Sequence, residues 1–93
     1  MLISKDEIQK SISNKGWNYD DKKLKKSYKL KNFSESMKFV NEIAIKADTL
    51  NHHPEININF NQVELKIGSV ELNGVTTKCV NLALQIDKLY ISS

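Results

Sequence analysis

The sequence predicts an α+β fold: a four-stranded antiparallel sheet with three helices on one face, in the order αββαββα. Three observations predict it. Apolar residues recur at helical spacing in three separated stretches, they alternate with polar residues in two pairs of short stretches between those, and no repeat or linker interrupts the series. The 93 residues suffice for a single core without staples, so residues 1–93 are read as one domain.

The first helix is expected over ISKDEIQKSISNKG, residues 3–16. Ser4 with Glu7 forms a capping box, Ile3 and Ile8 can make the hydrophobic staple around it, and Ile8 and Ile12 share a face. Gly16 supplies a left-handed stop. Trp17 to Tyr19 reads as a short strand, DDKK (residues 20–23) as a turn, and LKKSYKLK (residues 24–31) as the hairpin partner. The strongest helical signal runs over residues 33–51, where Phe33, Met37, Val40, Ile43, Ala44, Ala47 and Leu50 form one stripe. Ser34 is its expected cap and Asn51 its end. Pro54 disfavours helical geometry at His53, so the histidines fall just past the helix.

Beyond Pro54 the period changes to two. Ile56, Ile58 and Phe60 alternate with Asn57 and Asn59, then Val63, Leu65 and Ile67 with Glu64 and Lys66. Asn61 and Gln62 are the expected tight turn of this hairpin, which has one apolar face. LNG, residues 72–74, breaks it, and Val75, Cys79, Leu82, Ile86 and Leu89 mark a last amphipathic helix.

Forty per cent hydrophobic and 27% charged residues is the balance of an ordinary soluble domain. A lone cysteine, Cys79, excludes an internal disulfide and fits a reducing compartment. No apolar run approaches the roughly 20 residues that span a bilayer, and the start MLISKDE turns polar at once, unlike a secretory signal. A cytoplasmic location without a membrane partner is therefore expected. The net charge of +3 is mild. One dense basic run, residues 22–31, contains Tyr28 and could serve nucleic acid. However, Leu24, Tyr28 and Leu30 share one parity, so the lysines are expected on the solvent side of a strand, keeping the sheet soluble and blunting an edge. Nucleic acid is not the expected partner.

Both histidines and the sole proline stand together in LNHHPEI, residues 50–56. A zinc site takes at least three protein ligands. Adjacent imidazoles diverge in an extended loop, and although Asp48 or Glu55 could contribute, there is no third histidine, so no metal is expected. Histidines here can cap the last helical carbonyls and favour the negative end of the helix. They can also exchange protons near neutrality.

The wider pattern resembles a known family. GW at residues 16–17, F…F…A…AD…L.HHPE across residues 33–55, N.VEL from Asn61, and NGVT…LA..ID to Asp87 are together similar to the pterin-4a-carbinolamine dehydratases, also called 4a-hydroxytetrahydrobiopterin dehydratases. The resemblance covers nearly the whole chain, and it implies the αββαββα fold. It implies loss of water from a 4a-hydroxytetrahydropterin to give the quinonoid dihydropterin, without metal or organic cofactor. The substrate partner would be a pterin. His52 and His53 would be the catalytic pair, with His52 the principal acid/base and His53 also binding pterin; Asp48 and Pro54 would complete the substrate site. Members of the family form dimers and often tetramers, which implies a homodimer or homotetramer here. Phe33, Met37 and Phe39 with Val63 to Ile67 are the expected surface for it.

Three positions depart from the family pattern. Its third histidine is Val70, its later aspartate is Cys79, and its tryptophan two residues after the proline is Ile56. Valine cannot carry a proton, and losing one general acid/base typically costs about 10²–10⁴-fold. Glu71, the next residue, could substitute. Cys79 falls in the apolar stripe of the last helix, with no base evident beside it, and reads as a core thiol. Two functions follow. The first is a dehydratase, with reduced activity. The second is a non-catalytic pterin-binding or dimerisation module, of the coactivator type that some animal members of the family also provide. Retention of Asp48, His52, His53 and Pro54 together favours the first.

Overall fold

Local chemistry sets the first half of the chain. Ser4 Oγ accepts the Glu7 amide at 3.2 Å, and α1 (Lys5–Ile12) follows with Ile8 and Ile12 buried on one face. The computed structural model describes residues 2–12 and 15–92, so the part of the expected first helix at Ser13 and Asn14 lies outside the described residues. Gly16 has φ +80°, and Trp17, expected in the strand, is buried just before it. β1 (Asn18–Asp20) and β2 (Lys23–Lys29) are joined by Asp21 and Lys22 alone, with φ of 51° and 62°. Two left-handed residues twist a hairpin in the sense its strands require.

α2 (Phe33–Leu50) is capped by Asn32 rather than Ser34. The extended backbone of Asn32 lets its Oδ1 accept the Glu35 amide at 2.9 Å, whereas Ser34 already lies inside the helix. The buried face is Ser36, Phe39, Ile43 and Ala47, so the stripe is rotated from the expected one: Phe33, Met37 and Ala44 are exposed. Phe39 decides the rotation. Its ring packs edge-on to Tyr28 at 5.1 Å and to Tyr90 at 5.7 Å, a cluster that no spacing rule on α2 alone could reveal.

β3 (Glu55–Asn59) and β4 (Gln62–Ile67) form the second hairpin. Its turn is Phe60–Asn61, one residue earlier than expected, closed by the pair Asn59↔Gln62. Leu30 N–H donates to the Asn61 carbonyl at 2.7 Å and fixes that turn against the end of β2. Phe60 therefore leaves the apolar face and stands 64% exposed with φ 53°. After a loop, α3 (Thr77–Ser92) buries Cys79, Leu82, Ala83 and Ile86.

The sheet order is β1-β2-β4-β3 with every pair antiparallel. Rows across it alternate in character. Leu24–Ile67, Lys26–Leu65–Ile56 and Tyr28–Val63–Ile58 face the helices; Lys25–Lys66–Glu55 and Ser27–Glu64–Asn57 face away. The α+β arrangement of three helices over one sheet face is thus as the sequence predicts. Two expectations fail. β2 lies inside the sheet, so its lysines do not guard an edge, and Phe39, Val63, Leu65 and Ile67 are fully buried within one chain, so they cannot form an interface. Phe33, Met37 and Ile45 are the large apolar residues α2 leaves exposed.

Parity also forces Lys26 inward, between Leu24 and Tyr28. Asp87 of α3 meets it there at 2.7 Å, and the same carboxylate accepts Tyr28 Oη at 2.5 Å and Trp17 Nε1 at 3.0 Å. The ammonium lies 4.8 Å from the Tyr28 ring centre, a cation–π distance, and donates to the Lys15 carbonyl at 2.6 Å. Burial first, then the Asp87 carboxylate, push the Tyr28 phenol well above its ordinary range. Asp87→Ala would leave three donors without their acceptor in a partly buried setting. It should cost about 3 kcal/mol in urea unfolding, the scale of breaking a buried pair from one side. A loss below about 1 kcal/mol would show the cluster to be incidental.

Candidate active site

The end of α2 fixes the histidine segment. Asn51 is left-handed at φ 52°, its N–H reaches the Asp48 carbonyl at 3.2 Å, and His52 N–H reaches the Ala47 carbonyl at 3.0 Å. This is the Schellman closure, which asparagine can adopt in place of glycine. The capping expected of the histidines is therefore made by the His52 backbone, and its imidazole remains available. Pro54 then holds the chain extended into β3.

The two imidazoles diverge. His52 turns toward the start of α3, where its Nε2 lies 3.1 Å from Cys79 Sγ. His53 turns outward, where its Nε2 lies 2.9 Å from Asp48 Oδ1 and both side chains are mostly solvent-exposed. Burial first, then the positive charges of Lys78 and His53, hold the His52 imidazole below its ordinary range. One ring is thus kept neutral and the other is oriented by a carboxylate.

Both rings line a cavity of about 500 Å³. Its other walls come from residues 68–72 and from Thr76, Thr77 and Lys78 at the start of α3. A smaller recess of about 240 Å³ shares His53, Gly68, Ser69 and Val70 and adds Lys22, Lys23 and Lys66 with Asp21 and Glu55. β4 ends at Ile67, and residues 69–74 close into a tight loop through Ser69 N–H to Gly74 O at 2.8 Å and the reverse bond at 3.3 Å. The strand therefore stops before its alternation can turn residue 70 away. Val70, 96% exposed, stands on the rim of both recesses.

His52, His53, Val70 and Glu71 come together at one cavity. Asp48 joins through His53, and Pro54 shapes the path of the chain without lining the cavity. Ile56 lies on β3, away from the histidine cavity. One expectation is overturned. Cys79 is a buried thiol, but it is not without a base, since His52 Nε2 and Thr76 Oγ1 (3.4 Å) both touch its sulfur. Thr76 and Lys78 were not singled out in the sequence; the threonine in a capping position before the last helix was the signal. Among the described residues no group of three His, Cys, Asp or Glu side chains could hold a metal, and no helix is long and apolar enough to cross a membrane. Chemically the cavity offers two imidazoles in unlike environments, which suits proton transfer at two atoms of one ligand.

Comparison with known proteins gives the family. The family described as pterin 4 alpha carbinolamine dehydratase matches residues 1–89. A Sulfolobus acidocaldarius protein, assigned provisionally by its name to that activity, is 39% identical over 90 residues, covering 96% of this chain and 99% of the relative. A Prochlorococcus marinus protein with the same provisional name is 34% identical over 89 residues, covering 95% of this chain and 94% of the relative. Among solved structures, a transcriptional coactivator/pterin dehydratase from Brucella melitensis superposes with a TM-score of 0.91 at 26% identity, over 97% of this chain and 99% of that one. A pterin dehydratase-like RuBisCO assembly factor of the alpha-carboxysome shares the fold, with a TM-score of 0.68 at 19% identity, over 83% and 89% of the two chains. With the match running from residue 1 to residue 89 and through the histidine cavity, this chain belongs to the pterin-4a-carbinolamine dehydratase family.

Proposed function

We propose that the chain removes water from a 4a-hydroxytetrahydropterin, giving the quinonoid dihydropterin. The observation that carries this reading is the cavity lined by both His52 and His53, in a chain of this family. In the proposed step the C4a–O bond breaks with its electron pair on oxygen. Water loss needs one proton at the departing oxygen and releases one from a ring N–H; His52, the principal acid/base residue, and His53, which Asp48 orients, carry this exchange. The balance is one water lost and no electron transferred, so residues alone suffice. The cytoplasm is the proposed location, on the reduced thiol of Cys79.

A homodimer or homotetramer is the proposed assembly. The exposed α2 residues Phe33, Met37 and Ile45 support it, because three large apolar side chains on one helix are costly to leave in water. The second reading, a non-catalytic binding or assembly module, is favoured by Val70, which cannot carry a proton at its place on the rim of the cavity.

Three measurements bear on this. His52→Ala should lower turnover of 4a-hydroxytetrahydropterin by about 10²-fold or more with the fold intact, because a loop imidazole carries little packing; unchanged turnover would remove His52 from the mechanism. Val70→His should raise turnover at least tenfold, short of the full value of a general acid/base. If that variant binds pterin without gaining rate, the non-catalytic reading is the better one. In sedimentation the chain should run as a dimer or tetramer at micromolar concentration, and a sole 10.7 kDa species would defeat the assembly.

A further inference from the structure

Cys79 does not line the histidine cavity, yet its sulfur lies against Nε2 of His52, a ring that does. The thiol is placed by helix geometry. Cys79 is the third residue of α3, and its amide and its sulfur both lie 3.4 Å from Oγ1 of Thr76, the residue before the helix. The threonine oxygen accepts the Cys79 N–H, and its hydroxyl proton can still point to the sulfur. In that arrangement the thiol proton has His52 Nε2, at 3.1 Å, as its acceptor. A neutral imidazole that accepts at Nε2 carries its hydrogen on Nδ1. Nδ1 takes no protein partner among the described residues, and the ring lines the cavity.

We propose that Cys79 is a positioning residue: it holds His52 as the neutral tautomer with the hydrogen on Nδ1, so that His52 meets its ligand as a hydrogen-bond donor. The surroundings agree. Lys78 and Cys79 face the ring from α3, His53 from its own segment, and Glu71 from the loop across the cavity. Burial first, then Lys78, disfavours an imidazolium, which would need a hydrogen on both nitrogens. A carboxylate at position 79 would do the opposite. It would accept from Nε2–H, which leaves Nδ1 of the neutral ring as an acceptor, and it would also make protonation of that nitrogen easier. A thiol or a carboxylate at this one position therefore decides whether the neutral His52 ring donates or accepts a hydrogen bond at Nδ1. The identity of the ligand rests on the dehydratase reading; the tautomer does not.

The test is a ¹⁵N NMR titration of the His52 ring in the intact protein, with Cys79→Ser, Cys79→Ala and Cys79→Asp beside it, followed by pH profiles of turnover. The native chain should show a neutral ring with the hydrogen on Nδ1 and a midpoint below the ordinary imidazole value. Cys79→Ser should keep that tautomer. Cys79→Ala should mix the two and lower kcat about tenfold with KM nearly unchanged, the scale of one hydrogen bond. Cys79→Asp should move the hydrogen to Nε2 and raise the midpoint by at least about one pH unit. Should the aspartate variant not fold, the serine and alanine pair decides. A native ring carrying its hydrogen on Nε2, or one unaltered by Cys79→Ala, overturns the proposal. If the tautomers behave as described but even the native chain does not exceed the uncatalysed rate, the dehydratase reading fails and the role of Cys79 stands.

Discussion

The carboxylate of Asp87 ties together three separate parts of the chain. It receives Trp17 from the α1–β1 corner and Lys26 and Tyr28 from β2 while sitting on α3. The last helix is thereby pinned to the middle of the sheet and not only packed upon it. That anchoring has consequences a dozen residues away. With the later half of α3 fixed against β2, its first turn presents Thr76, Lys78 and Cys79 to the histidine segment at the end of α2.

A charged pair inside a small domain is by itself weak evidence of stability, because desolvation offsets much of the attraction. Here the remaining bonding capacity is also used. The ammonium has a carboxylate, a backbone carbonyl and two aromatic faces, and the carboxylate has three donors. Among the described residues no buried side-chain nitrogen or oxygen lacks a partner. The cluster specifies how α3 lies on the sheet more than it adds apolar burial. A different angle of the helix would strand several of these groups at once.

Two consecutive residues of one type end up in opposite environments at the candidate site. The Schellman closure of α2 and the extended geometry around Pro54 place successive side chains on different sides of the chain. His52 is taken into the protein against a thiol, and His53 is left at the surface against Asp48. Burial and nearby positive charge keep the first ring neutral. This difference in environment is made by position and not by residue type.

The sequence by itself determined the seven elements, the antiparallel hairpins, the end of α2 at Asn51 and the family pattern, because period, capping and turn chemistry are local properties written in adjacent residues. It also brought Asp48, His52, His53 and Pro54 forward as a group. Tertiary structure alone decided which face of α2 is buried, since that depended on Phe39 meeting Tyr28 and Tyr90 from distant segments. It decided that the turn of the second hairpin begins at Phe60, through a bond from Leu30, and that Lys26 points inward to Asp87. It decided as well that Cys79 has a histidine beside it, although 27 residues separate the two in the chain. Such contacts arise where elements far apart in sequence are pressed together by burial, and no rule of spacing within one element encodes which atoms will meet there.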